Sequence, residues 1–137
     1  MTTRLELTHG GRIMQVTQDG TLSQEAIKAA RNKSTRQGQA FECALVDCRR
    51  ADLSELSLID MDTLALEFAR DVPHCSRIAL VRAPGRDERA YAHIANVYTL
   101  TGIETRLFDE FEQAREWLVK GCLPLPGAGE APGDSPG

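Results

Sequence analysis

Two short apolar runs constrain this chain more than any other feature. Cys43-Ala44-Leu45-Val46 and Ile78-Ala79-Leu80-Val81 are unbroken, and each ends abruptly in charge: Asp47, Arg49 and Arg50 after the first, Arg82 after the second. A strand with one face in water alternates apolar with polar, whereas one covered on both faces is apolar throughout, as in a parallel sheet between helices. The segment between the runs is long enough to hold a helix, and a strand-helix-strand crossover within one sheet is right-handed. The pattern therefore predicts a buried central strand over 41–48 and a parallel neighbour over 76–81, with a helix crossing between them.

The remaining elements follow from periodicity. Leu5 and Leu7 alternate with Glu6 and Thr8, and Met14 and Val16 with Gln15 and Thr17, which predicts strands over 4–9 and 12–17. Gly10-Gly11 suits a two-residue hairpin turn with positive φ at both positions. Asp19-Gly20 closes the second strand. A helix over 23–36 has Thr21 or Ser23 as its cap, a stripe of Leu22, Ala26, Ala29 and Ala30, water-facing Lys28, Arg31, Lys33 and Arg36, and Gly38 as its stop. The helix over 57–71 buries Leu58, Met61, Ala65, Phe68 and Val72, with Ser57 as cap and Pro73 as stop. Asp87 opens a helix reaching Thr101, and Gly102 ends it. A mixed, edge-like strand spans 103–108. Asp109 and Glu112 form a capping-box pattern for a last helix that buries Phe111, Ala114, Trp117 and Leu118 and ends at Gly121. The expected fold is α/β: a mixed, mostly parallel sheet with an N-terminal antiparallel hairpin and helices packed on it. Residues 1–122 read as one domain. Residues 123–137, rich in Pro and Gly, read as a disordered tail, because that composition cannot bury enough surface to offset its ordering entropy.

Charge and cysteine usage narrow the function classes. A net charge of −4 argues against general nucleic-acid binding, which calls for a basic face. No apolar run is long enough to span a membrane, and Met1 to Leu7 contains no signal-like apolar segment, so a cytoplasmic address is expected. Cys43, Cys48, Cys75 and Cys122 match no zinc or Cys-x-x-Cys spacing and are expected to be free thiols in a reducing compartment. Cys43 reads as core. Cys48, beside Arg49 and Arg50, is the one thiol whose neighbours favour a lowered pKa.

No nucleophile-elbow, zincin, phosphate-loop or dinucleotide motif is present, and His9, His74 and His93 are scattered. The best constellation comes from topology. Parallel strands bring Asp47, Arg49, Arg82 and Asp109 to one edge of the sheet, where the helices beginning near Ser57 and Asp87 also open, and ligands bind at that edge where the winding of an open sheet reverses. Arg49, Arg82 and Arg86 offer charge-assisted hydrogen bonds to a phosphate or carboxylate. The alternative is that Asp47 pairs with a neighbouring arginine and braces the loops.

The run Ala44-Leu45-Val46-Asp47-Cys48-Arg49-Arg50, the later Ser57-Leu58-Ile59-Asp60-Met61, the strand Arg77-Ile78-Ala79-Leu80-Val81 and the closing Phe108-Asp109 with Ala114-Arg115-Glu116-Trp117-Leu118 resemble small bacterial STAS/SEC14-like proteins with the SpoIIAA-like fold of anti-sigma-factor antagonists. The resemblance runs from the hairpin to Leu118. It implies a non-catalytic regulatory or interaction module that binds a protein partner or pairs with itself, without a cofactor. The SEC14 side of the resemblance implies, as an alternative, a carrier of a small anionic or lipid ligand. Regulatory STAS domains carry a phosphorylatable serine in an Asp-Ser-Ser-Gly-like motif where the helix after the central strand begins. The nearest residue here is Ser57, in Glu55-Leu56-Ser57-Leu58, without the Asp-Ser-Ser or the glycine, so Ser57 reads first as a helix cap.

Overall fold

The structure, a computed structural model, describes residues 2–36 and 41–122. Among the described residues nine elements follow one another: β1 (Thr2–Thr8), β2 (Ile13–Thr21), α1 (Gln24–Arg36), β3 (Cys43–Asp52), α2 (Leu58–Asp71), β4 (Arg77–Val81), α3 (Glu88–Leu100), β5 (Glu104–Phe108) and α4 (Phe111–Cys122). The sheet is five-stranded in the order β1-β2-β3-β4-β5. β1 pairs antiparallel with β2, and every later pairing is parallel. This is the mixed α/β sheet expected, with β5 at an edge.

The strand order carries one correction. No reversal of winding occurs, so the sheet has no crevice of the doubly wound kind. Each right-handed crossover steps one strand in the same direction, which lays α1, α2 and α3 on the same face. Only α4, which follows the last strand, folds onto the other face. Alternation along the strands supplies the two layers. Ile13, Cys43, Leu45, Ala79 and Val81 meet Ala114 and Leu118 of α4. Met14, Ala44, Ile78 and Leu80 face the three-helix layer, with Phe41, Leu22 and Tyr91.

Several local expectations shift. The hairpin loop is residues 9–12 rather than Gly10-Gly11 alone, since Thr8 pairs with Ile13 and His9, Gly10 and Gly11 all have positive φ. β2 runs on through Asp19-Gly20 by way of a register shift between Thr17 and Asp19. Ser23 caps α1 by accepting from the Ala26 amide at 3.2 Å, while the Thr21 hydroxyl turns to Asp52. Gly38 lies outside the described residues, as does the tail over 123–137. Arg31, read as water-facing, has only 9% of its side chain exposed because α1 packs beside α2, and its guanidinium lies 3.3 Å from Glu67 and 3.6 Å from Asp71. Leu58, read as buried, is 54% exposed at the open end of α2, where Leu64 joins Met61 and Ala65 in the core instead. α4 continues one residue past Gly121.

That extra residue matters for the cysteines. Cys43 and Cys122 are joined by a disulfide, with Cα atoms 6.3 Å apart, so the expectation of four free thiols is wrong. Their 79-residue separation hides the pairing from spacing rules. The packing of α4 along β3 and β4 brings its last residue to the first residue of β3. Cys48 and Cys75 remain free and buried.

Candidate functional site

The carboxyl edge of the parallel strands is built by what happens where β4 stops. β4 ends at Val81, whereas β3 continues to Asp52, held along its far side by β2. Asp47 and Arg49 therefore lie on strand backbone, while Arg82 and Arg86 lie in the connection between β4 and α3. Asp47 is 7% exposed and takes both Nε and Nη2 of Arg49, at 2.9 and 2.8 Å, together with the Arg49 amide at 3.1 Å. The two residues are neighbours on the same strand face because side chains at i and i+2 share it. The Arg49 guanidinium lies over the Phe111 ring, 5.1 Å from its centre, at the first residue of α4. Burial works to raise the Asp47 carboxyl, and the hydrogen bonds and charge of Arg49 outweigh it, so the group is held below its ordinary value.

Arg82 and Arg86 each find a different carboxylate. Arg82 Nε donates to Asp109 at 2.7 Å, tying the end of β4 to the end of β5. Arg86 lies 3.4 Å from Asp52, whose carboxylate also accepts from the Ser54 amide and the Thr21 hydroxyl. The four residues thus occupy one edge but form three separate ion pairs. The depression beside Asp47, about 290 Å³, is walled by Thr17, Gln18, Asp47, Arg49 and Arg50, and neither Arg82 nor Arg86 belongs to it.

Ser57 closes a capping box at the start of α2: its hydroxyl accepts from the Asp60 amide at 3.0 Å, and the Asp60 carboxylate accepts from the Ser57 amide at 3.0 Å. Asp87 does not cap α3. It sits at φ 53° and turns its carboxylate to the Leu53 amide, at 3.2 Å. Cys48 overturns the idea of an activated thiol. Burial, then the charge of Asp47, pushes it up to about 12, and Arg49 gives its charge to Asp47 instead.

Two contributors were not foreseen. Tyr91, fully buried, donates its hydroxyl to the Cys48 carbonyl at 3.3 Å and accepts from the Ala83 amide at 3.4 Å, closing the gap between β3 and β4 where the ladder ends. Gln18, 6% exposed, sits at the β2 irregularity and accepts from the Thr3 hydroxyl at 2.6 Å. A polar residue next to Asp19-Gly20 was the available signal for a bulge. Gln18 also lines two small cavities between the sheet and the α1–α2–α3 layer, each about 100 Å³, which share Ile27, Leu64 and Tyr98. No described helix is long and apolar enough to cross a membrane.

The family model described as SpoIIAA-like matches residues 13–119. Among solved structures, the chain superposes on the anti-sigma factor antagonist SpoIIAA in its unphosphorylated form with a TM-score of 0.57 at 16% identity, covering 89% of this chain and 99% of that one. It superposes equally, at 0.57 and 21% identity, on an uncharacterized protein of the DUF3478 family with a SpoIIAA-like fold from Shewanella loihica PV-4, covering 85% of this chain and 92% of that one. Comparison with curated proteins gives no match.

Proposed function

The chain belongs to the SpoIIAA-like family, and from that premise we propose that it works as a non-catalytic regulatory module that binds a protein partner or a second copy of itself. The observation that carries this reading is the apolar surface of α2. Leu58 and Ile59 stand in water at the start of that helix, directly after the Ser57 cap, and Leu66 follows two turns later. Large apolar side chains gathered on one exposed face mark interaction surfaces. The nearby carboxyl edge supplies stiffness: Asp47–Arg49, Arg82–Asp109 and Arg86–Asp52 brace the loops around it. Ser57 acts in this reading as the cap that orders α2, and its hydroxyl is the candidate for regulatory modification.

The two cavities favour a second reading, that of a small-ligand or lipid carrier. Their walls are apolar except for Gln18 and Arg31, and they lie between helices and sheet. At about 100 Å³ each, they fall short of the ~300 Å³ at which ligand pockets begin, so a lipid would require α1 and α2 to part. An anionic headgroup would then take Arg49, Arg82 or Arg86 from its present carboxylate.

A native mass spectrum of the freshly purified chain separates the readings. A complex with another polypeptide, the same or different, is the expected result. A chain alone with a retained small molecule would overturn the first reading in favour of the carrier, and a bare chain would remove the support for both.

A further inference from the structure

The exposed surface of α2 is not isolated, because α3 lies alongside it. His93 Nε2 on α3 is 2.7 Å from Asp62 Oδ1 on α2. From that contact toward the carboxyl ends, the two helices enclose a groove of about 530 Å³. Ala65, Ala69 and Val97 line it, and Leu66 and Leu100 rise on either side, 65% and 76% exposed. Ile59, 75% exposed, continues the Leu66 ridge one heptad earlier.

We propose that this α2–α3 face is a self-association surface, through which two copies of the chain pair about a two-fold axis passing beside Leu66. The proposal rests on the reading of the chain as an interaction module and deepens it by naming the partner.

Shape and charge both point to a second copy. An isologous contact needs projection and recess on the same patch, each filled by the other copy. Leu66 and Leu100 are the projections, and the groove between them is the recess. The charge pattern then sets the direction. Along α2, Asp62 and Arg70 stand four residues before and after Leu66, with side chains 51% and 69% exposed; within one copy Asp62 meets His93 and Arg70 holds Asp71 at 2.7 Å, and a second copy would share those partners. At ~1.5 Å rise per residue each is about 6 Å from Leu66 along the axis. Two antiparallel α2 helices crossing at Leu66 therefore bring Asp62 of one copy level with Arg70 of the other, twice in each dimer. A lipid surface, or a partner of one sign of charge, meets an acid at one end of the ridge and a base at the other. A second copy in antiparallel orientation presents the opposite sign at both ends.

The test uses sedimentation equilibrium of the full chain from about 1 to 100 μM, a range that covers standard-size and transient interfaces. A dimer is expected. Leu66→Glu and Leu100→Glu should each raise the dissociation constant at least about tenfold, or about 1.4 kcal/mol. Both side chains already stand in water, so far-UV circular dichroism should be unchanged. Asp62→Arg and Arg70→Asp should each weaken the dimer, and the two together should restore it. Three results overturn the proposal: a monomer across the range, a dimer indifferent to both leucine variants, or a charge-exchanged double variant no tighter than the singles. So would a monomer that floats with phosphatidylcholine–phosphatidylglycerol vesicles through Leu66, which assigns the face to membranes. A monomer that dimerises only once cut after Cys122 assigns the groove to residues 123–137 and overturns it likewise. A monomer that holds a different polypeptide in the native mass spectrum removes self-pairing and leaves the broader reading standing.

Discussion

Replacing Tyr91 by Phe removes one oxygen from the interior and leaves the ring. Tyr91 is fully buried, and its hydroxyl serves the Cys48 carbonyl and the Ala83 amide at 3.3 and 3.4 Å. Both backbone groups lie just past the point where β3 and β4 cease to pair. In the Phe variant neither has a partner there, and water has no path to a residue with no exposure. An orphaned buried polar group costs about 1–3 kcal/mol. Bonds of this length belong at the low end, so the two together come to about 2 kcal/mol. For a domain of this size that is a fall in Tm of roughly 6–10 °C. Tyr91→Ala adds the loss of the ring, about 3–5 kcal/mol for an aromatic core residue. Urea unfolding followed by Trp117 fluorescence reads both as a lower midpoint at constant slope. pH supplies an independent check. Burial, then the neighbouring Cys48, pushes the Tyr91 phenol from 10.0 up to about 12. The folded phenol therefore keeps its proton where the unfolded one has lost it, and its share of stability, complete below pH 10, drains away up to about pH 12. The Phe variant lacks that loss, so its deficit against wild type should narrow across this window. A Phe variant as stable as wild type at neutral pH, or a deficit constant from pH 9 to 12, would refute the bridging role.

Two further outcomes follow from the same geometry. Arg49→Ala strips the buried Asp47 carboxylate of its bidentate partner and should cost about 1.5–3 kcal/mol, toward the lower figure because the Arg49 side chain is half-exposed. Arg49 holds Asp47 below its ordinary value, so the stability it lends is complete above that value and is lost as pH falls through the lower folded one. In the variant the amide of residue 49 still donates, but the guanidinium's hydrogen bonds and charge no longer offset burial, so the carboxyl rises, and acid unfolding watched by circular dichroism should begin at a higher pH; an unmoved acid midpoint would count against the pair. Cys122→Ser opens a loop with a separation of 79 residues. Loop-closure entropy sets its cost at up to roughly 4.5 kcal/mol. Wild type in reductant should fall to the level of the variant in urea unfolding, and indifference to reductant would refute the tether.

Local pattern alone specifies the elements and their direction. Unbroken apolar runs at 43–46 and 78–81, the alternation in 4–17 and the heptad-like spacing in 57–72 carry their own periods, and parallel crossovers have one hand, so a mixed sheet with covering helices was determined before any coordinate. The edge at which Asp47, Arg49, Arg82 and Arg86 gather followed from the same rule. What local pattern cannot encode is which side chains meet across long separations. The Asp47–Arg49 pair is local, two residues apart on one strand face, and was among the alternatives the sequence offered; that Arg82 takes Asp109 and Arg86 takes Asp52 depends on β4 stopping five residues earlier than β3 in register, which only the ladder decides. The Cys43–Cys122 bond depends on where α4 ends above β3. The burial of Arg31 and the exposure of Leu58 and Leu66 depend on how α1, α2 and α3 share one face of the sheet. Periodicity names the apolar positions of a helix. Only packing decides which of them find a partner inside the chain and which remain in water.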